Sequence, residues 1–214
     1  SLGGTIKENW AFGKWMVASI FALQSSNQLY IYIGAIFLSP ALVGVLGAAR
    51  NLLGFAHILF HAMDNIVDPI ASKTYVASGK AGLRKLLKYI FLLGSIFTII
   101  YCIIVSVFSE YLLNLLYRGQ YNGYGPLVVL FSLCYIIIFF CKLPTYAMRA
   151  IREPKNIFFG YALMSLTSIL TGIPLVIHMG VYGACSGMLL SQMVLFFALF
   201  IRYRNRLILK QDHS

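Results

Sequence analysis

An all-α integral membrane fold with six transmembrane helices is what this sequence predicts, and three observations carry that reading. Mean hydropathy is +0.82, and charged residues make up 11% of the 214 positions, against roughly a quarter in soluble domains. Apolar runs of about 20 residues, the length that crosses a bilayer core, recur six times. Basic residues cluster between those runs rather than within them, which speaks to orientation.

Taken in order, the predicted spans are Trp15 to Phe37, Pro40 to Ile66, Tyr89 to Phe108, Pro126 to Tyr146, Ile157 to Ile177 and Val181 to Ile201. Lys7 and Lys14 precede the first. Lys73, Lys80, Arg84, Lys85 and Lys88 separate the second from the third. Lys142, Arg149, Arg152 and Lys155 are assigned to the connection of the fourth and fifth, and Arg202, Arg204, Arg206 and Lys210 follow the sixth. The alternate connections, near Ser39, from Glu110 to Gly125 and from His178 to Gly180, hold only Arg118. The positive-inside rule then puts both ends of this segment in the cytoplasm. Charges placed at helix ends, and not on one soluble face, exclude a nucleic-acid partner for the formal +11.

Shorter elements fit between the spans. Lys73, Lys80, Arg84 and Lys88 recur at helical spacing opposite Leu83, Leu86, Leu87 and Ile90, predicting one basic interfacial helix that anchors to lipid headgroups. Glu110 to Arg118 predicts a second interfacial helix, with Tyr117, Tyr121 and Tyr124 in the aromatic belt. Pro144 and Pro174 are positions where a helix would kink or end. Gly44, Gly47 and Ala48 in the second span and Gly180, Gly183 and Gly187 at the start of the sixth mark close helix packing, within the chain in preference to between chains. Cys102, Cys134, Cys141 and Cys185 lie in apolar runs without metal or redox spacing and read as small packing residues. No Met or signal-peptide pattern precedes the first span, which predicts a segment of a longer protein.

The candidate functional residues are polar groups at membrane depth. Arg50, Gly54, His57, His61, Asp64 and Asp68 follow one another every three or four residues, so on one helix they make a single stripe. Near the bilayer centre a charge costs about 2.5 to 3.5 kcal/mol, so Arg50 must meet an anion, a carbonyl or water. On the first span Gln24, Asn27 and Gln28 share a face, and two polar faces on adjacent helices predict a hydrated cavity. Ser165, Thr167, Ser168 and Thr171 are a milder set, able to bond their own backbone carbonyls. His57, His61, Asp64 and Asp68 are candidates for ion coupling, intramembrane His and Asp being its usual carriers. The competing reading leaves His61, Asp64, Asn65 and Asp68 as interfacial residues. No cofactor, metal or nucleotide motif is present in the sequence, and a membrane acyltransferase would have to use His57 or His61.

Five segments carry a family resemblance: Trp10-Ala-Phe-Gly-Lys-Trp15, Gly44-Val-Leu-Gly-Ala-Ala-Arg-Asn-Leu-Leu-Gly54, Asp64-Asn-Ile-Val-Asp-Pro-Ile-Ala71, Leu115-Leu-Tyr-Arg-Gly-Gln-Tyr121 and Gly180-Val-Tyr-Gly-Ala-Cys-Ser-Gly187. Together they resemble the carboxy-terminal half of bacterial polysaccharide (O-antigen type) flippases, in the multidrug/oligosaccharidyl-lipid/polysaccharide exporter superfamily. The resemblance implies one six-helix lobe of a two-lobe transporter in the bacterial inner membrane, with the N-terminal lobe on the same longer chain. The implied cargo is an undecaprenyl-pyrophosphate-linked oligosaccharide. Arg50 would then meet phosphate, with Gln24, Asn27, Gln28 and Asn51 completing the substrate-binding set. An exporter of amphipathic small molecules on the same fold is the alternative.

Overall fold

Two glycines decide the architecture. The computed structural model describes the backbone of residues 2–208 and the side chains of residues 10, 12–26 and 28–207; Lys210 and the side chains of Lys7 and Asn27 lie outside the described residues. The described chain is helical, with no strand: α1 (Leu2–Phe37), α2 (Pro40–Leu52), α3 (Gly54–Val107), α4 (Ser109–Tyr117), α5 (Gly125–Ala150) and α6 (Pro154–Tyr203), ending in a π-helical turn, Arg204–Ile208. Three helices, α3, α5 and α6 with its extension to Leu207, are long and apolar enough to cross a membrane. As a straight rod α3 would measure about 80 Å. It is not straight.

Gly79 in α3 (φ 61°, ψ −158°) and Gly180 in α6 (φ 57°, ψ −131°) hold a conformation almost closed to residues with a Cβ. At each the helix folds back on itself. Ser168 Oγ and Ser191 Oγ, 23 residues apart, are 2.9 Å from each other, and Arg202 donates to the Asn156 carbonyl at 2.8 Å. Across Gly79 the ring of Phe55 meets Phe97 and Tyr101, with centroids 6.4 and 5.7 Å apart. Residues 54–78 and 80–107 are therefore antiparallel arms, as are 154–179 and 181–203.

With α2 and the first arm of α3 counted as one interrupted rod, and α4 set aside, six rods result, alternating in direction. α1 runs parallel to the first arm of α6, with Trp15 against Phe158 (5.0 Å), Ser165 Oγ donating to the Ala22 carbonyl (2.9 Å) and Tyr30 beside Gly172. α5 runs parallel to the first arm of α3 and to the second arm of α6. Cys134 and Cys141 point their thiols at the carbonyls of Cys185 and Gln192 across that last seam, at 3.8 and 3.9 Å. All four cysteines are free and buried, as small residues filling helix contacts should be.

Several expectations need correcting. The second span, foreseen as one helix from Pro40 to Ile66, is interrupted at Leu53 (φ −96°, ψ 6°). Gly54 weakens helix propensity there, and Tyr101 OH donates to the Leu52 carbonyl at 2.8 Å, replacing a lost helical bond. The basic helix foreseen through Lys73 and Lys88 is divided by Gly79, which puts Lys73 on one arm and Lys80, Arg84 and Lys88 on the other. Pro144 and Pro174 end neither helix; the chain remains helical to Ala150 and to the turn at Gly180. The short helix expected from Glu110 to Arg118 is present as α4, closed by Arg118 in the left-handed region. Glu110 ties the following loop down by accepting from the backbone N–H of Gly125 (2.8 Å) and Gly123 (3.2 Å).

Buried side chains form two clusters stacked along the bundle. One joins Leu53, Phe60, Leu113, Phe131 and Cys185; the other joins Leu83, Met148, Ile157, Leu199 and Leu207. Met63 packs against both, and the polar site lies at their junction. Outward faces are apolar, with Phe21, Ile58, Val76, Ile100 and Leu170 exposed, the distribution expected where the surroundings are hydrocarbon.

Candidate functional site

The interruption at Leu53 does not scatter the polar stripe. Arg50 from α2 and His57, His61 and Asp64 from α3 line one cavity of about 180 Å³, and Gln24 of α1 joins them. α5 contributes Lys142 and Thr145, and α6 contributes Tyr161 and Gln192. A second cavity of about 140 Å³, walled mainly by Tyr30, Val43, Leu46, Phe131 and Met188, meets the first at Arg50. Arg50 thus stands between a polar chamber and an apolar one.

The remaining candidates lie elsewhere. Gln28 and Asn51 are exposed and do not line the cavity; Asn51 donates to Tyr117 OH at 3.4 Å. Asp68 sits one turn beyond Asp64, bound to Arg149 at 2.6 Å. His57 and His61 touch each other, Nε2 to Nε2 at 3.1 Å, with rings perpendicular. Among the described residues no three His, Cys, Asp or Glu side chains gather as a metal site.

Lys142 is the residue that sequence reasoning misplaced. It was grouped with the loop cations between the fourth and fifth spans, yet it lies well inside α5, with its ammonium 2.6 and 2.8 Å from the two oxygens of Asp64. Tyr146 OH donates to the same carboxylate at 2.7 Å. The clue was available: position 142 falls within the predicted span 126–146, where an unpartnered ammonium is disfavoured. Gln192, buried on the cavity wall, was also missed, because a lone glutamine in an apolar run has no periodic partner.

Charge bookkeeping singles out Arg50. Four carboxylates have described side chains: Asp64 binds Lys142, Asp68 binds Arg149, Glu153 binds Arg206 at 3.1 Å, and Glu110 holds backbone N–H groups. Among the described residues none pairs with Arg50, whose guanidinium lies against the Tyr135 hydroxyl. A five-donor planar cation in a confined polar chamber is a fork for a phosphate or carboxylate. Next to it, Gln24, Gln192 and Thr145 offer amide and hydroxyl groups suited to polyhydroxylated ligands.

Behind the cavity a hydroxyl chain fastens α1 to both arms of α6. Ser26 Oγ lies 3.2 Å from both Ser165 Oγ and Ser168 Oγ; Ser168 reaches Ser191 at 2.9 Å, and Ser191 reaches Tyr30 OH at 2.8 Å. Of the four residues expected to bond their own backbone, Thr167, Ser168 and Thr171 do so, while Ser165 donates to α1 instead. Gly187 and Gly172 have no Cβ where Tyr30 passes; one added at Gly187 would meet the ring at 2.6 Å. Tyr30 and Ser191 escaped sequence reasoning because they bond each other from helices, at positions 161 residues apart in the chain.

No protein-family model, curated protein or solved structure matches the chain.

Proposed function

We propose that this chain is a six-span lobe of a bacterial inner-membrane flippase that carries a lipid-linked oligosaccharide from the cytoplasmic to the outer leaflet by alternating access. The observation that carries the reading is Arg50: a cation without a carboxylate partner among the described residues, set where a polar and an apolar chamber meet. A pyrophosphate that links a sugar chain to a polyprenyl tail presents the same sequence of chemistries, anion between polar and apolar parts. Gln24 and Gln192 would hydrogen-bond the sugars, and exposed Gln28 and Asn51 would face a second lobe across the transport path. Each of the six rods becomes a span, and the shared basic end of the bundle lies in the cytoplasm.

Alternating access needs contacts that differ between two states. The Lys142–Asp64 and Arg149–Asp68 pairs join α5 to the first arm of α3 and are the contacts such a movement would exchange. His57 and His61 share the wall with Asp64, where a coupling ion would exert its bias. The apolar chamber favours one second reading, export of amphipathic small molecules.

Arg50→Ala in the full-length protein tests the proposal. Normal insertion and thermal stability with surface polymer reduced at least about 10-fold is expected, a charge-assisted hydrogen bond being worth roughly 1.5 to 3 kcal/mol. Full polymer export would remove Arg50 from the mechanism, while drug sensitivity with intact polymer would select the second reading.

A further inference from the structure

A separate hollow of about 530 Å³ opens at the basic end of the bundle, remote from the Arg50 cavity. Its walls come from both ends of the described chain: Phe12 and Trp15 of α1, Arg152 and Glu153 of the α5–α6 connection, Lys155 and Phe159 of α6, and Arg206 of the terminal turn. Aromatic rings and cations are layered. Lys155 Nζ lies 5.7 Å above the Trp15 ring, and the Arg202 guanidinium lies 5.2 Å from the Phe159 ring.

Arg152 is held there against its backbone preference. α5 ends in a Schellman motif: the Glu153 N–H bonds to the Met148 carbonyl at 2.9 Å and the Arg152 N–H to the Arg149 carbonyl at 3.1 Å. The position in the left-handed region, normally glycine, is Arg152, with φ 57°. A cation therefore stands where the turn alone would select a residue without a side chain. Glu153, the one carboxylate among the described residues that line the hollow, is occupied by Arg206 and Asn156. Arg152 and Lys155 are both exposed, and among the described residues no carboxylate holds either.

We propose that this hollow binds an anionic phospholipid, its phosphate between Arg152 and Lys155 and the upper part of its acyl chains against Trp15 and Phe159. Cations beside indole and phenyl rings at one end of an apolar bundle match the boundary between headgroup and hydrocarbon, where such basic pockets take anionic lipid. A soluble phosphate would use the two cations and leave the rings without a role. The site rests on the chain being embedded in a bilayer and not on what the Arg50 cavity carries.

Trp10 and Trp15 are the two tryptophans, so Trp10→Phe leaves Trp15 as a reporter within the hollow. In phosphatidylcholine bilayers, phosphatidylglycerol with brominated acyl chains should quench Trp15 at a mole fraction at least about fivefold lower than brominated phosphatidylcholine, the preference one interfacial cation supplies. Adding Arg152→Gly and Lys155→Gln should bring the two lipids together. Because glycine suits φ 57°, the Arg152→Gly chain should melt no lower than its parent, which separates loss of binding from loss of fold. Equal quenching by both lipids in the parent, or a preference that survives the substitutions, would overturn the assignment. So would displacement of the lipid by inorganic phosphate, which would give the site to a soluble anion. A transport-inactive Arg50→Ala chain should keep the lipid preference, so failure of either proposal is distinguishable from failure of the other.

Discussion

Lys142 and Asp64 show how context sets the worth of one ion pair. Both side chains are mostly withdrawn from solvent, with exposures of 21% and 23%, and the carboxylate is also bonded to Tyr146. Removing one partner strands a charge, which costs 3 to 5 kcal/mol for fully buried pairs; with this residual exposure about 2 kcal/mol is the expected loss for Lys142→Met. The double variant Asp64→Asn, Lys142→Met should lose less than the two single losses combined, leaving a coupling of about 1 kcal/mol or more in a double-mutant cycle of unfolding in detergent. Additive losses would mean that the pair does not hold α5 to α3. Arg149 and Asp68 differ in kind: their single contact leaves Arg149 Nε and Asp68 Oδ1 buried without partners, one bond short of the bidentate fork that guanidinium and carboxylate can form.

At the scale of elements, the two single-glycine hairpins are the main structural finding and yield a direct test. In a chain without its native cysteines, Ser168→Cys and Ser191→Cys should form an oxidative cross-link, because the two hydroxyls are 2.9 Å apart. On one straight helix those positions would be about 35 Å apart, so absence of the cross-link would refute the hairpin. The turn at Gly180 was legible, since hydropathy falls from His178 to Gly180 and glycine meets the steric need. The division of the basic segment at Gly79 was not, because Lys73, Lys80, Arg84 and Lys88 keep helical spacing on both sides of a residue whose dihedrals no periodicity encodes. Likewise the stripe from Arg50 to Asp64 was visible as a pattern. A cavity between that stripe and the first span was expected too, but its far wall was not legible, since Lys142, Thr145, Tyr161 and Gln192 come from two helices 78 or more residues beyond Asp64.

For the whole molecule, alternating rods place the start of α1 and the terminal turn together, Trp15 and Arg206 lining one hollow, with the loop after α4 at the opposite end. The orientation proposed from the basic clusters is measurable. A membrane-impermeant thiol reagent should label Arg118→Cys in intact cells whose outer barrier is permeabilised, and Lys85→Cys only after the inner membrane is opened. The reverse pattern would invert the assigned topology and remove the cytoplasmic placement of the basic end.

The hydroxyl chain behind the cavity has a consequence for the order of events during synthesis. Ser26 and Tyr30 find their partners at Ser165, Ser168 and Ser191, between 139 and 161 residues later in the sequence. At 5 to 20 residues per second, the first helix waits roughly 10 to 30 s before the ribosome has made what it must bond to. During that interval its polar run is an unfinished surface that a chaperone or quality-control protease can read. Closure of the last hairpin onto α1 is thus the step that satisfies those hydroxyls, long after the helix that carries them has been made.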